Sequence, residues 1–573
     1  MSERFTFPPS WRWLDRPPLH LETGLRGHVV LVVHWRLGCA HSRAALHEAA
    51  LLPGDLFGLP VAIVAVHVPT CDAERDDDRL RRTIAQMPGC MTHAVAASPE
   101  TVERVPSMLL VDSSGAVRVR APGVLRRNRV RAAMEQLCRE SGRRAKRMEA
   151  PFVASPVTLS ASWQPIAVVA DGDRIWVASA THRSVFAFDA DANVTMTVGS
   201  GQYGSHDGAS DDASFALPAA LCVHDEHLAV ADTQNHTLRA IDRSSGEVLT
   251  WSGTGWFGVD DIGGGYGCDQ ALSSPAGIVS RDGGLFVCMA GTDQLWQVDP
   301  MTGSAMAWLG GDAIGYAAEE RSQDTFAEPL GLAGDDERLW VAEGRGGVLS
   351  MVDLAHVQRH CVDEKVDAKF VRPVAVAVHE DRVFVADSWQ ASVFVVTSQG
   401  AEGARFLGPD DGLVEPVSLA IDGTRLFVAD VGADSVFVCD LADSEPKLER
   451  WDVQGLPEPV RSSGQSGPTA LVAKACQLRE HSDVTLRLRT PSCEDGTKAV
   501  VDVVDEGHPI LAADRHEVTV VKKGLVEVLL PVSDAGHGCL RLRLRLADVV
   551  THYVVPVTVT ATGELKATLV LPS

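Results

Sequence analysis

The sequence predicts a multidomain chain of α/β plus all-β class, with an α/β domain first, a six-bladed β-propeller in the middle and a small β-sandwich last. Three observations predict it. Near the N-terminus, β-branched apolar runs alternate with segments of helical spacing. From residue 165 a proline-led unit of short β-type runs recurs six times. Beyond about residue 460, strict alternation of apolar and polar residues returns. The expected domains are 1–148, 155–457 and 465–573.

At 573 residues the chain exceeds what one ordinary core supports, and its 45% hydrophobic and 22% charged content is that of folded protein. The net charge is −24, but residues 1–150 hold 22 Lys and Arg against 16 Asp and Glu, leaving 30 against 60 for the remainder. So acidic a body repels phosphate backbones, which excludes nucleic acid as a partner of the propeller and C-terminal parts. The basic segment either faces the acidic body across an interface or is independently solvated. Met1 to Pro18 lacks the apolar core of a secretory signal, and no apolar run reaches the roughly 20 residues that span a bilayer. A cytoplasmic protein without membrane contact is expected. Twelve Cys without CxxC spacing point to free thiols rather than a disulfide framework or a zinc site.

His28 to His34 is apolar enough for a strand buried on both faces, and Ser42 to Leu52 carries Ala and Leu at helical spacing, so strand gives way to helix at Cys39. Val61 to Val68 reads as a second strand, Asp77 to Gln86 as a polar helix and Met108 to Val111 as a third strand. That alternation predicts parallel pairing. A thiol at a helix start faces unpaired N–H groups and the positive end of the macrodipole, both of which favour the nucleophilic thiolate. Arg36, His41 and Arg43 add to that field. His34, His41, His47, His67 and His93 are numerous, yet His34 and His67 lie in or beside apolar strands, where a hydrogen-bonded core histidine is expected, and no metal is assigned.

The run Trp35-Arg36-Leu37-Gly38-Cys39-Ala40-His41-Ser42 resembles the active-site turn of the thioredoxin superfamily. Val105 to Gly115 resembles that family's cis-proline strand and the turn after it. The resemblance covers roughly residues 25–145 and implies a thioredoxin-like domain in which Cys39 is the nucleophile, Trp35 precedes it and Pro106 packs beside it. The chain departs from the family at Ser42, which stands where the resolving cysteine would be and cannot close a disulfide. What remains implied is a monothiol resolved by an outside thiol, or by Cys71 or Cys90 if the fold brings them near. The alternative is a relic thiol in a docking domain. The segment before Cys39 lacks the Pro and Thr of a peroxidatic loop, which ranks a thiol peroxidase below an oxidoreductase.

After the basic stretch 143–147, read as a linker, the repeat units open at Pro165, Pro218, Pro275, Pro329, Pro373 and Pro416, spaced by 53, 57, 54, 44 and 43 residues. Each contains a run of the type Leu228 to Asp232, then a polar turn and a further strand. Val230 to Asp242 resembles the NHL repeat, which implies a closed ring of small sheets that buries their faces and leaves short edges. Proline at a strand start removes no ladder hydrogen bond. The Asp that ends the second run is expected to accept turn N–H bonds within its own blade. The Gly-rich loops at 198–208 and 252–258 resemble inter-blade insertions and are not phosphate loops, since no Gly-Lys-Ser/Thr follows. On them Tyr203, Trp256 and Phe257 are expected either to contact partners or to fold over their own blades.

Val484 to Arg489 and Leu540 to Leu546 alternate as half-buried antiparallel strands, and Cys476, Cys493 and Cys539 read as core residues. The order of regions resembles the NHL repeat-containing protein 2 family. The resemblance implies a scaffold or partner-binding protein whose propeller holds a protein or small-molecule ligand, beside a monothiol domain with a redox role. The alternative is a thiol-disulfide oxidoreductase with Cys39 as nucleophile. No cofactor is implied.

Overall fold

The computed structural model describes residues 4–141 and 162–459, apart from 98–104, 259–261, 312–324, 363–368, 398–402 and isolated positions, and beyond 470 the backbone of the strands. The linker at 143–147, Cys90, and the side chains of Cys476, Cys493 and Cys539 lie outside the described residues. The chain forms two units, Met1–Arg461 and Ser462–Ser573. The α/β region and the propeller therefore belong to one unit.

The α/β region contains β1 (Arg12–Trp13), β2 (Val29–Trp35), α1 (Ala40–Asp55), β3 (Val61–His67), α2 (Asp77–Ala85), β4 (Thr92–Val95), β5 (Ser107–Val111), β6 (Val117–Pro122) and α3 (Arg127–Glu140). One mixed sheet of order β1-β4-β3-β2-β5-β6 joins them. The expectation of parallel pairing holds for β2 with β3 and β3 with β4 and fails for β5, which runs antiparallel to both β2 and β6. The pairing of β5 with β6 follows from the short connection between them. Asp112 accepts the N–H groups of Ser114 and Ala116 at 2.9 and 3.1 Å, and a turn that tight can only reverse the chain. Alternate residues of β2 feed two cores. Val29, Leu31, Val33 and Trp35 pack under α1 and α3, while Val30 and Val32 pack under Trp11, Leu19 and Leu25 of the N-terminal segment. Each fully buried aliphatic side chain contributes roughly 2 kcal/mol.

Six sheets follow, each opening at one of the six prolines. Their first strands are Pro165–Asp171, Pro218–His224, Pro275–Arg281, Pro329–Gly334, Pro373–His379 and Pro416–Asp422. These innermost strands neighbour one another in chain order, and the last neighbours the first, so six blades close a ring. Closure buries Trp163, Val168 and Val177 against Phe427, Ala429 and Val436, and Trp163 donates its ring N–H to the Asp434 carbonyl at 3.1 Å. In every blade the ladder slips just after the leading proline. A residue without an N–H followed by a bulge starts each inner strand with a bend. At Gly331 the backbone of the next blade comes so near that a Cβ would stand 2.6 Å from the Ala375 Cα, so only glycine fits.

Each of blades 2, 4, 5 and 6 ends its second strand in a wholly buried acid: Asp232, Glu343, Asp387 and Asp430. Asp387 accepts the N–H groups of Val371, Arg372, Trp389 and Gln390, and Asp430 those of Val414, Glu415, Gly432 and Ala433. The acid ties the segment leading into its blade to the turn after its second strand. Blade 1 has Ser179 at this position and blade 3 has Met289.

The second unit contains a six-stranded sheet and a three-stranded sheet. The two alternating segments seen in the sequence fall in Ser482–Arg489 and Gly536–Leu546.

Candidate functional site

The residue just before each leading proline stands at the start of its blade's inner strand. Four of these residues, Gln164, Glu328, Arg372 and Glu415, hydrogen-bond to the α/β region. Gln86 donates to Gln164 at 3.3 Å, Arg43 to Glu328 at 3.3 Å, Arg372 to the Gly38 carbonyl at 2.9 Å, and Arg82 to Glu415 at 2.5 Å. Arg79 adds a second guanidinium to Glu415 at 2.9 Å. Three of these contacts pair arginines of the basic region with acids of the acidic one, so the charge asymmetry of the sequence corresponds to an interface.

Cys39 sits at the centre of this interface. It is the N-cap of α1, in extended backbone, and is 6% exposed. The loop ahead of it is held from all sides. Glu74, at the turn before α2, accepts the Gly38 N–H at 3.0 Å, Arg43 donates to the Leu37 carbonyl at 3.3 Å, and the ring of Trp389 of blade 5 stands close against Gly38. Burial opposes ionisation of Glu74, but Arg36 and the N–H groups of Thr70 and Gly38 hold its carboxyl below the ordinary range.

The thiol is hydrogen-bonded to His41, and Ser42, wholly buried, sets its hydroxyl against it. Burial works against the thiolate, and Glu328 opposes it too, yet the bond and charge of His41 hold Cys39 below the ordinary thiol value. For His41 burial again opposes the charged form, and the bond to Cys39 with the charges of Cys39 and Asp293 raises it. The pair leans toward thiolate and imidazolium.

The other sequence-predicted residues surround this pair. Trp35 is buried at the end of β2 with its ring on His67, centroids 4.9 Å apart. The Val105–Pro106 peptide is cis, and the register that sets Ser107 opposite His34 brings Pro106 level with Trp35, where the Cys39 loop departs. Tyr203, Trp256 and Phe257 meet the α/β region: Tyr203 hydrogen-bonds His47, Trp256 lies under the Arg127 guanidinium at 4.4 Å, and Phe257 stands between His41 and His236. The sequence reading did not single out Asp293, Glu328, Arg345, Arg372, Trp389 or Glu415 for this site. Its available signal was the polar character of positions 328, 372 and 415 ahead of their prolines.

His47, Glu48 and His236 bring ligand atoms within 4.8 Å of one another, all buried. His236 accepts the Ser274 N–H on Nδ1 at 3.1 Å, so its proton rides on Nε2 and the nitrogen left for a metal presents a hydrogen, not a lone pair. Glu48 lies 3.8 Å from Arg127. The donor set does not fit a metal as it stands. Among the described residues Cys71 and seven other cysteines, Cys39 included, are unpaired, and no helix is long and apolar enough to cross a membrane.

No family model matches the chain. It is 24% identical over 375 residues to protein SUPPRESSOR OF QUENCHING 1, chloroplastic, of Arabidopsis thaliana, with 61% of this chain and 35% of that protein covered. It is 23% identical over 450 residues to NHL repeat-containing protein 2 of Bos taurus, with 68% and 61% covered, and 26% identical over 267 residues to the Homo sapiens protein of that name, with 39% and 37% covered. The chain thus spans only part of each of these curated relatives. Among solved structures, a gluconolactonase of Xanthomonas campestris aligns with a TM-score of 0.35 at 13% identity, covering 51% of this chain and 87% of that one.

Proposed function

Because this chain is an NHL-repeat protein, we propose that it is a propeller scaffold whose first bound partner is its own thioredoxin-like N-terminal domain, seated thiol inward. The thioredoxin-like reading is supported by the parallel β4-β3-β2 core with its antiparallel β5-β6 hairpin, and by a cysteine at the start of α1 level with a cis proline. The observation that carries the scaffold reading is closure: a cysteine only 6% exposed beneath three blades is out of reach of a folded protein substrate. An outside protein or small ligand then meets the surface of the propeller that the N-terminal domain leaves open. Unpaired cysteines suit a reducing compartment such as the cytosol.

A thiol-disulfide oxidoreductase is the second reading, favoured by the Cys39–His41 pair. In it the thiolate attacks one sulfur of a substrate disulfide, a mixed disulfide forms and the other half leaves as a thiolate. An outside thiolate must then attack the mixed disulfide and release Cys39, because Ser42 has no sulfur to offer. Timed labelling with iodoacetamide, read by peptide mass spectrometry, separates the two. The scaffold reading expects Cys39 to label far more slowly than the exposed Cys268 and Cys361 of the same chain. Rapid labelling of Cys39, with disulfide turnover that Cys39→Ser abolishes, replaces the scaffold by the oxidoreductase.

A further inference from the structure

We propose, building on the thiol reading above, that Glu328 and Asp293 of the propeller are positioning residues for Cys39, so that the reactive arrangement of the thiol is assembled by docking from two regions of the chain. The contacts run in an unbroken chain. Glu328 Oε1 accepts from Arg372 at 2.8 Å and from Arg43 at 3.3 Å. Those two guanidiniums donate in turn to the Gly38 and Leu37 carbonyls, the two residues directly before Cys39. Asp293 accepts the Glu328 N–H at 2.7 Å and pairs with Arg345 at 2.5 Å.

Two features set this network apart from one that merely glues two surfaces. Asp293, Glu328 and Arg372 are all buried, whereas interface ion pairs that contribute only modestly stand at the rim. Glu328 Oε2 is buried with no hydrogen-bond partner, an expensive condition for a carboxylate that serves stability alone.

The charged and polar groups around the Cys39–His41 pair are Ser42 and Arg43 on α1, Arg36 and Glu74 beside the preceding loop, Asp293 from blade 3, Glu328 and Arg345 from the entrance and turn of blade 4, and Arg372 from blade 5. Phe257 is the apolar neighbour of His41. Within this set the two carboxylates act on opposite members of the pair. Glu328 opposes the Cys39 thiolate, and Asp293 favours the His41 imidazolium on which the thiolate depends.

The test is the ultraviolet absorbance of the Cys39 thiolate in the full chain as pH is raised, taken as the difference from Cys39→Ser. Burial pushes Cys138, Cys222 and Cys439 up to about 11, so their signals lie at high pH and cancel in the difference. Glu328→Gln should move the midpoint to lower pH and Asp293→Asn to higher pH; Asn keeps the side-chain shape and tolerates left-handed backbone. Shifts in opposite directions support the proposal. Midpoints that stay put, or that move together, overturn it. Should Glu328→Gln fail to fold, Asp293→Asn decides alone, a fall or no change overturning the proposal. A parent chain whose Cys39 titrates at or above the ordinary thiol value overturns the thiol reading itself, so the two failures are distinct.

Discussion

At the scale of single residues, Gly38 shows how little room the seat leaves. A Cβ on it would stand 2.4 Å from the Trp389 ring and 3.0 Å from the Glu74 carboxylate, so Gly38→Ala must push the α/β region off blade 5. Alkylation of Cys39 should then quicken by about tenfold, the factor that about 1.4 kcal/mol of weakened docking gives. The check is the labelling rate of the variant against the parent, with Cys361 as internal standard. Cys39, Trp35 and Pro106 were legible in the sequence because a strand, a turn and a helix start follow one another within a few residues. Glu328 and Arg372 were not, because Arg372 and Gly38 lie 334 positions apart and no local pattern couples them. The aromatics Tyr203, Trp256 and Phe257 were visible as loop residues, but which surface they meet is decided by docking.

At the scale of elements, α2 is the handle by which the N-terminal region grips the ring. Arg79 and Arg82 stand one turn apart on it, so both guanidiniums reach Glu415, and Arg79 also donates to the Ser388 carbonyl at 3.4 Å. Removing the shared acid strips both guanidiniums of their carboxylate and leaves Arg79 only the Ala73 and Ser388 carbonyls, whereas removing Arg82 leaves the acid one partner. Glu415→Ala should therefore cost about 2 kcal/mol and Arg82→Ala about half that, read from urea unfolding midpoints. The leading prolines were legible as blade starts because the absent N–H restricts where proline can stand in a sheet. The bulge after each of them carries no side-chain signature and had to be seen in the ladder.

At the scale of the whole molecule, protons are linked to folding through buried histidines. Burial holds His236 down to about 3, burial and then Arg120 hold His34 down to about 4, and burial with the charges of His236 and Arg127 keeps His47 well below its ordinary value. In the unfolded chain each titrates near 6.5, so as pH falls through that value the unfolded state takes up protons that the folded state refuses. Stability is complete above about 6.5 and should decline toward pH 4, by up to about 1.4 kcal/mol per pH unit for each such histidine. His41, raised instead of lowered, contributes in the opposite sense, its share present below 6.5 and fading above. Urea midpoints across this range should slope less in the double variant His47→Gln/His236→Gln. That the sequence foretold six blades but left their union with the α/β region as one of two alternatives follows from the same cause as before: repeats are periodic in the chain, and an interface is not. None of the positions ahead of the leading prolines belongs to an apolar blade core, so a side chain there that suits its burial, and the left-handed backbone at 164, 274 and 328, spares the packing behind it. A different set of six at those places would refit the mouth of the ring to a different guest while leaving the architecture untouched.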